Sequence, residues 1–301
     1  MSRAGTGRVA VAIVTHETRD EVLGCLASLA PGEADEIVVA DTGSTDGSVQ
    51  AVRDAYPDVR VLELANAGFG RAANAAVRVT SSPVAVIVNA DVRFLPGSVR
   101  RLARELEDDP SLAAAGPAVR YPDGRHQASA RRIPDLRTAV GHAALGRVRP
   151  DNRWTRRYRV ADADRAAPRD PDWLSGCALA VRRQAFDDVG GFDPGYHLYV
   201  EDVDLAVRLR RAGWSLRYQP AANVIHRVGA STATKRGRAL VCHARSLDRY
   251  VGRHHDGVVW RLVRPVVAGG LAAGVALTWV WERTLGAGHS TTGERADRSV
   301  R

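Results

Sequence analysis

Apolar runs and amphipathic stretches alternate through the first 120 residues. Residues 9–14, Val-Ala-Val-Ala-Ile-Val, form a short apolar run that predicts a strand buried on both faces. Residues 20–29 carry Val22, Leu23, Leu26 and Leu29 at helical spacing. The same alternation continues. Strands are predicted at 36–41, 59–64, 84–89 and 112–119. Helices are predicted from the 42–48 turn to about Tyr56, after the 66–74 loop, and over 97–106. Strands alternating with helices across short loops predict a mostly parallel sheet with helices on both faces.

Ligands of such sheets bind at the C-terminal ends of the strands. Polar residues gather at those ends: Thr15 and Glu17, Asp41, Asn66, then Asn89 with Asp91. One polar strand end is routine, whereas four along one edge form a binding-site pattern.

The pattern weakens over 120–172, which is rich in Arg, Pro and Asp. Two readings stand side by side: a solvated loop, or a wall that orders on an anionic substrate. Order returns with a strand at 173–183, a short helix at 184–189 and an acidic helix. In that helix Glu201, Asp202 and Asp204 open a run with Leu205, Ala206, Leu209 and Ala212 at helical spacing, and Gly213 closes it. Capping and the helix dipole account for one or two of those acids. They do not account for Tyr196, Tyr199 and the Gly190–Asp193 turn that lead into them. Short strands at 214–219 and 223–226 and an arginine-rich helix at 237–255 follow.

Residues 258–281 differ from the rest. Pro265 to Trp281 carries no charge, and Trp260, Trp279 and Trp281 lie near the ends. The uncharged stretch is at the lower limit for a span and only weakly hydrophobic, so a membrane-surface or re-entrant segment is the preferred reading. A helical hairpin packed on the soluble part is the alternative. Residues after about 286 read as disordered. The expected organisation is a catalytic domain at 8–236, membrane-associating helices at 237–285 and a tail at 286–301.

The 301 residues suffice for a full core, and 45% hydrophobic and 26% charged residues are ordinary for a globular protein. The net charge is +9, with Lys235 the only lysine. Genomic bias explains the arginine preference, and the excess still suits an anionic partner. Without interleaved aromatics or a recognition motif, nucleic acid is not the expected partner. Cys25, Cys177 and Cys242 are widely separated, which argues against a zinc site or a disulfide framework and fits a reducing cytosol. Residues 9–14 are too short for a signal-peptide core. No GxGxxG follows the first strand, and neither a phosphate-binding GxxxxGK loop nor HExxH occurs, which argues against dinucleotide oxidoreductases, P-loop enzymes and zincins.

Six motifs in order then resemble a known family: Asp41-Thr-Gly-Ser-Thr-Asp46-Gly-Ser, Asn66-Ala-Gly-Phe-Gly-Arg-Ala-Ala-Asn74, Asn89-Ala-Asp91, Gly190-Gly-Phe-Asp193, Glu201-Asp202-Val-Asp204 and His226-Arg-Val-Gly-Ala-Ser231. Over residues 8–255 the chain resembles the inverting family 2 glycosyltransferases of GT-A type. It looks most like actinobacterial rhamnosyltransferases acting on N-acetylglucosaminyl-diphosphoryl-polyprenol, through Ser129-Ala-Arg-Arg132, Arg153-Trp-Thr155 and Trp173-Leu-Ser-Gly176. The resemblance implies an α/β, Rossmann-like GT-A nucleotide-sugar-binding fold, followed by the C-terminal helical segment.

It also implies roles. Asp41 accepts the imide N–H of the donor base, with Thr15, Glu17, Asn66, Gly68, Arg71, Asn74 and Asn89 around the nucleotide sugar. Asp91 binds Mg²⁺ or Mn²⁺, and Asn89 stands where the family's metal motif has its first aspartate. His226 adds a metal ligand or meets the diphosphate. Asp202 is the general base, kept ionised by the helix start. Glu201 supports Asp202, and Asp204 is structural. Trp173, Ser175 and Gly176 are expected near the acceptor, with Arg131 and Arg132 toward a diphosphate. The best donor is dTDP-L-rhamnose and the acceptor a polyprenyl-diphosphate-linked GlcNAc, met at the cytoplasmic face of the membrane by a peripheral enzyme. The alternatives are UDP-galactofuranose, GDP-mannose or UDP-glucose as donor, another acceptor, or a non-catalytic binding protein.

Overall fold

A computed structural model describes residues 7–133, 151–160, 165–227 and 236–255, with isolated positions between 135 and 149. The chain divides into two units, Met1–Ser231 and Thr232–Arg301.

The first unit is built on one large sheet. Its centre is β1 (Val9–Thr15), which pairs in parallel with β2 (Glu36–Asp41) on one side and β4 (Val84–Asn89) on the other. All three are apolar almost throughout, as strands covered on both faces must be. β3 (Arg60–Glu63) adds the outer edge, in parallel with β2. Beyond β4 the direction changes: β10 (Ala178–Arg182) is antiparallel to both β4 and β6 (Leu112–Arg120). β11 (Ser215–His226) runs parallel to β6, and β5 (Val92–Phe94) closes the far edge antiparallel to β11. The full order is β3-β2-β1-β4-β10-β6-β11-β5, with β7 (His126–Gln127) beside β6.

Helices cover both faces. α1 (Arg19–Ala27), α2 (Ser48–Ala55) and α4 (Ser98–Asp108) place Val22, Cys25, Leu26, Val52, Val99, Leu102 and Leu106 in one core. α3 (Phe69–Arg78), α6 (Arg183–Asp188) and α7 (Glu201–Arg211) place Ala72, Ala73, Ala76, Phe186, Leu205 and Leu209 in the other. Phe192, fully buried, meets Phe69 and Phe186 edge-on at 5.8 and 5.6 Å.

Several expectations change. The parallel character holds for β3-β2-β1-β4 and for β6 with β11, while β10 makes the sheet mixed. Residues 173–183 are two strands, β9 (Trp173–Leu174) and β10, broken by the Ser175–Cys177 turn. The short strands expected at 214–219 and 223–226 are one, β11, with a register shift between Gln219 and Asn223 where Pro220 interrupts the ladder. The stretch 120–172 contains β7, β8 (Ala130–Arg131, paired with β9) and a helix, α5 (Arg153–Arg159). Asn152 caps α5 by accepting from the N–H groups of Trp154 and Thr155.

In the second unit α8 spans Arg236–His254, close to the expected arginine-rich helix. Among the described residues no helix is long and apolar enough to cross a membrane. The stretch 258–281, the tail after 286 and residues 228–231 of the last motif lie outside the described residues.

Candidate active site

Register lines up the first part of the site. Thr15 lies beside Asp41, Asp41 beside Glu63, and Val14 beside Asn89, so β1, β2 and β3 end level and β4 ends one residue short of them. Asp41 is 2% exposed; its Oδ1 accepts from the Ser44 N–H at 2.9 Å, and its Oδ2 is buried with no hydrogen-bond partner. A buried carboxylate oxygen without a donor is costly, so this one is a standing demand for a donor from a ligand.

The neighbouring residues divide by what they already hold. Thr15 bonds Thr18 through its hydroxyl, and its carbonyl accepts from the Thr42 hydroxyl and N–H. Glu17 has φ of 52° and accepts from both the N–H and hydroxyl of Thr45, so it braces the 42–46 loop. Asn66 bonds His16, whose other ring nitrogen faces the Thr42 carbonyl. Asn74 spends both amide atoms on the Phe192 backbone, and Arg71 donates to the Pro194 carbonyl. These last two side chains fasten α3 to the 190–194 turn.

Gly68 joins the halves of the site. Its φ is +105°, and a Cβ there would lie 2.5 Å from the His197 carbonyl oxygen. Phe69 donates its N–H to the same carbonyl at 3.1 Å. The loop before α3 thus rests directly on the loop before α7.

Past Asn89 the chain turns through Ala90 and Asp91 into β5, whose pairing with β11 sets His226 opposite Val92. His226 Nε2 lies 3.1 Å from Asp91 Oδ1, and its Nδ1 lies 3.0 Å from Gln127 Oε1. Asp91 Oδ1 makes no hydrogen bond of good geometry, although the ion-pair distance is short. Burial opposes charge on His226, yet the Asp91 carboxylate and the Cys177 sulfur outweigh it and push the imidazole up to about 10. Gln127 was not legible as a site residue, because β7 is too short to show a pattern.

Among the described residues no three His, Cys, Asp or Glu side chains converge to hold a metal alone. Asp91, whose Oδ1 has only the poorly aligned contact with His226, and Asn89 beside it are oxygen donors that fit a hard cation taking its remaining ligands from phosphate and water. Both ring nitrogens of His226 are engaged, one by Asp91 and one by Gln127.

A short path leads on to the acidic helix. The Asn89 N–H donates to the Cys177 carbonyl at 3.0 Å. The Gly176 N–H, one residue earlier, donates to Asp202 Oδ2 at 2.9 Å. Asp202 Oδ1 accepts from Val203 N–H at 2.9 Å. Burial nonetheless raises the Asp202 carboxyl above the usual aspartate range, against these donors and the nearby Arg131. The helix start and burial therefore act on its charge in opposite directions. Glu201 is 7% exposed, has an unpartnered buried Oε2, and is pushed up to about 8 by burial and the Asp202 charge.

Capping does not explain these acids, since the N-cap is Val200, at φ +69°, which offers no side-chain bond. Asp204 has a different fate: fully buried, it pairs with Arg208 at 2.7 Å and accepts from the Tyr196 hydroxyl at 3.3 Å.

Arg131 stands beside the base. Its guanidinium lies 5.0 Å from the Trp173 ring centre and 5.4 Å from that of Tyr158, and bonds the Ala128 carbonyl and the Tyr158 hydroxyl. Trp173 is buried and donates to the Arg132 carbonyl, while the Arg132 side chain is exposed. Ser175 is pinned through its N–H to the Ser129 carbonyl.

The family model described as glycosyl transferase family 2 matches residues 10–190. The chain is 38% identical over 258 residues to the N-acetylglucosaminyl-diphospho-decaprenol L-rhamnosyltransferase of Mycobacterium tuberculosis, covering 81% of this chain and 83% of that protein. Among solved structures, the mannosyltransferase PcManGT from Pyrobaculum calidifontis, in complex with GDP-Man and Mn²⁺, superposes with a TM-score of 0.56 at 18% identity, covering 92% of this chain and 76% of that one. GalNAc-T7 with UDP, GalNAc and Mn²⁺ reaches 0.55 at 17% identity, covering 75% of this chain and 44% of that one. The chain is thus a glycosyltransferase and belongs to glycosyl transferase family 2.

Proposed function

We propose that the protein transfers L-rhamnose from dTDP-L-rhamnose to a hydroxyl of a polyprenyl-diphosphate-linked N-acetylglucosamine, with inversion at the anomeric carbon. The observation that carries the substrate assignment is the similarity to the mycobacterial rhamnosyltransferase across 81% of the chain.

The geometry supports a division of labour. Asp41 Oδ2 accepts the imide N–H of the thymine base, which satisfies its missing partner. Thr15, Glu17, Asn66 and Gly68 shape that end of the site; the first three act through the loops they hold. Asp91, with Asn89 beside it, holds Mg²⁺ or Mn²⁺. Bound there, the cation supplies positive charge to the departing diphosphate. His226 orients Asp91.

Asp202 takes the proton of the acceptor hydroxyl as that oxygen attacks the anomeric carbon from the face opposite the diphosphate. The Gly176 and Val203 N–H groups fix its carboxylate for this task. A raised pKa suits a base, because it increases the carboxylate's appetite for the proton. Glu201 supports Asp202 from the buried side, and Trp173, Ser175 and Arg131 line the approach of the acceptor.

The C-terminal stretch 258–281 is proposed as an interfacial segment that brings the enzyme to the cytoplasmic leaflet where a polyprenyl acceptor resides.

The test is direct. Purified protein with Mn²⁺ or Mg²⁺, dTDP-rhamnose and a GlcNAc-diphosphoryl lipid should yield the rhamnosylated lipid. Turnover only with UDP-galactofuranose, GDP-mannose or UDP-glucose would overturn the donor assignment and leave the family unchanged.

A further inference from the structure

We propose that Arg93, held by Glu21 and admitted by Gly24, is a positioning residue that sets the Asp91 carboxylate for divalent-cation binding. The inference rests on the reading of Asp91 as the cation ligand.

Arg93 lies on β5, two residues past Asp91, and its guanidinium turns back on the loop it has just left. Nη1 donates to the carbonyls of Ala90 at 3.3 Å and Val92 at 3.1 Å, and to the Glu21 carbonyl of α1 at 3.1 Å. Nη2 pairs with Glu21 Oε2 at 2.7 Å, with both side chains about one-fifth exposed or less (20% and 17%). One cation thus organises four oxygens, which a planar fork of donors does and a lysine ammonium does not.

One peptide it grips, through the Ala90 carbonyl, joins Ala90 to Asp91. The Ala90 N–H donates to the Val14 carbonyl at 3.1 Å, so the peptides on both sides of Ala90 are tied, one to β1 and one to Arg93. The backbone carbonyl of Asp91 is tied as well, accepting from the Arg227 N–H at 3.0 Å. Arg227 follows His226 directly, and its guanidinium reaches Glu21 Oε1 at 3.5 Å. Glu21 therefore links the two chain segments that carry Asp91 and His226.

Space for this arrangement is provided by one residue. A Cβ on Gly24 would lie 2.2 to 2.6 Å from three guanidinium atoms of Arg93. Gly24 sits inside α1, where glycine is disfavoured relative to alanine, and the Arg93 guanidinium occupies the place of its missing side chain.

The experiment measures Mn²⁺ binding by electron paramagnetic resonance in the presence of dTDP, alongside thermal midpoints and initial rates. Residues that orient a metal ligand typically change affinity about 10–100-fold. Arg93→Lys and Gly24→Ala should each weaken Mn²⁺ binding about tenfold or more. The Mn²⁺ concentration for half-maximal rate should rise in parallel, with the acceptor KM unchanged. A fall in thermal midpoint and kcat with unchanged Mn²⁺ affinity would overturn the proposal and leave Arg93 as scaffold. If Gly24→Ala does not fold, Arg93→Lys decides alone. Asp91→Asn separates the two levels. If it leaves Mn²⁺ binding intact, the reading of Asp91 fails. If it weakens binding while Arg93→Lys does not, only the positioning role fails.

Discussion

The carboxylate of Asp202 accepts a hydrogen bond from the backbone N–H of Gly176 at 2.9 Å, across 26 positions of sequence. The next residue, Cys177, receives the N–H of Asn89 through its carbonyl. The acidic helix and the end of β4 are therefore tied to the same three-residue turn. If Asp202 is the base, Asp202→Asn should lower kcat by about 10²–10⁴-fold. Binding of dTDP, read by thermal shift, should persist, because the substitution leaves Asp41 and Asp91 in place. Near-normal turnover would remove Asp202 from that role.

Asp41 offers an unsatisfied Oδ2 to a ligand. A hydrogen bond to a charged group contributes about 1.5–3 kcal/mol. Asp41→Ala should thus weaken dTDP binding about 10–100-fold by calorimetry. The ligand-induced rise in thermal midpoint should shrink with it. Unchanged dTDP affinity would place the base elsewhere.

Glu201 gives stability a pH dependence whose sign is fixed. Its folded carboxyl is pushed up to about 8 from an ordinary value of 4.5, so between these values the native state binds more protons than the unfolded chain. Stability from this group therefore falls as pH rises from about 4.5 to 8. His226, raised from 6.5 to about 10, acts in the same direction at higher pH and is present in both proteins of the comparison. Glu201→Gln should lose less stability than wild type between pH 5 and pH 8, measured by urea denaturation. Parallel curves would show that Glu201 is ionised in the fold.

Asp204 should behave as scaffold. Its buried pair with Arg208, which also bonds the Val189 and Gly191 carbonyls, ties α7 to the 189–191 turn. Breaking a buried pair from one side costs about 3–5 kcal/mol. Asp204→Ala should lower stability by about that amount. Residual activity per folded molecule should exceed that of Asp202→Asn; the reverse order would give Asp204 a part in the chemistry.

Truncation after residue 257 tests the interfacial proposal. The shortened protein should leave the membrane fraction and retain turnover on a short-chain, detergent-soluble acceptor. Unchanged membrane partitioning would refute the role assigned to 258–281.

Much of the first half of the fold was legible. β1, β2 and β4 are nearly continuous apolar runs, and each helix between them has its own local period, so their order and their polar ends could be read directly. What was lost lay where the local signal is weak or interrupted. The two-residue strands β7, β8 and β9 are too short for a period, and Pro220 made the single strand β11 look like two. The helix at Arg153–Arg159 was hidden by its arginines, although Asn152 two positions before Trp154 was a readable cap.

The sequence by itself determined the order of strands and helices, the row of polar strand ends and the acidic helix start, because these follow from local period and turn chemistry. It also determined which family the chain resembles. Tertiary structure decided what each acid does. Asp204 was given to Arg208, Asp202 to Gly176, and Asp91 to His226, with Gln127 behind it. Most of those partners lie 26 to 135 positions away in sequence. A carboxyl's charge is set by burial and by the donors around it, and both exist only once distant segments have packed.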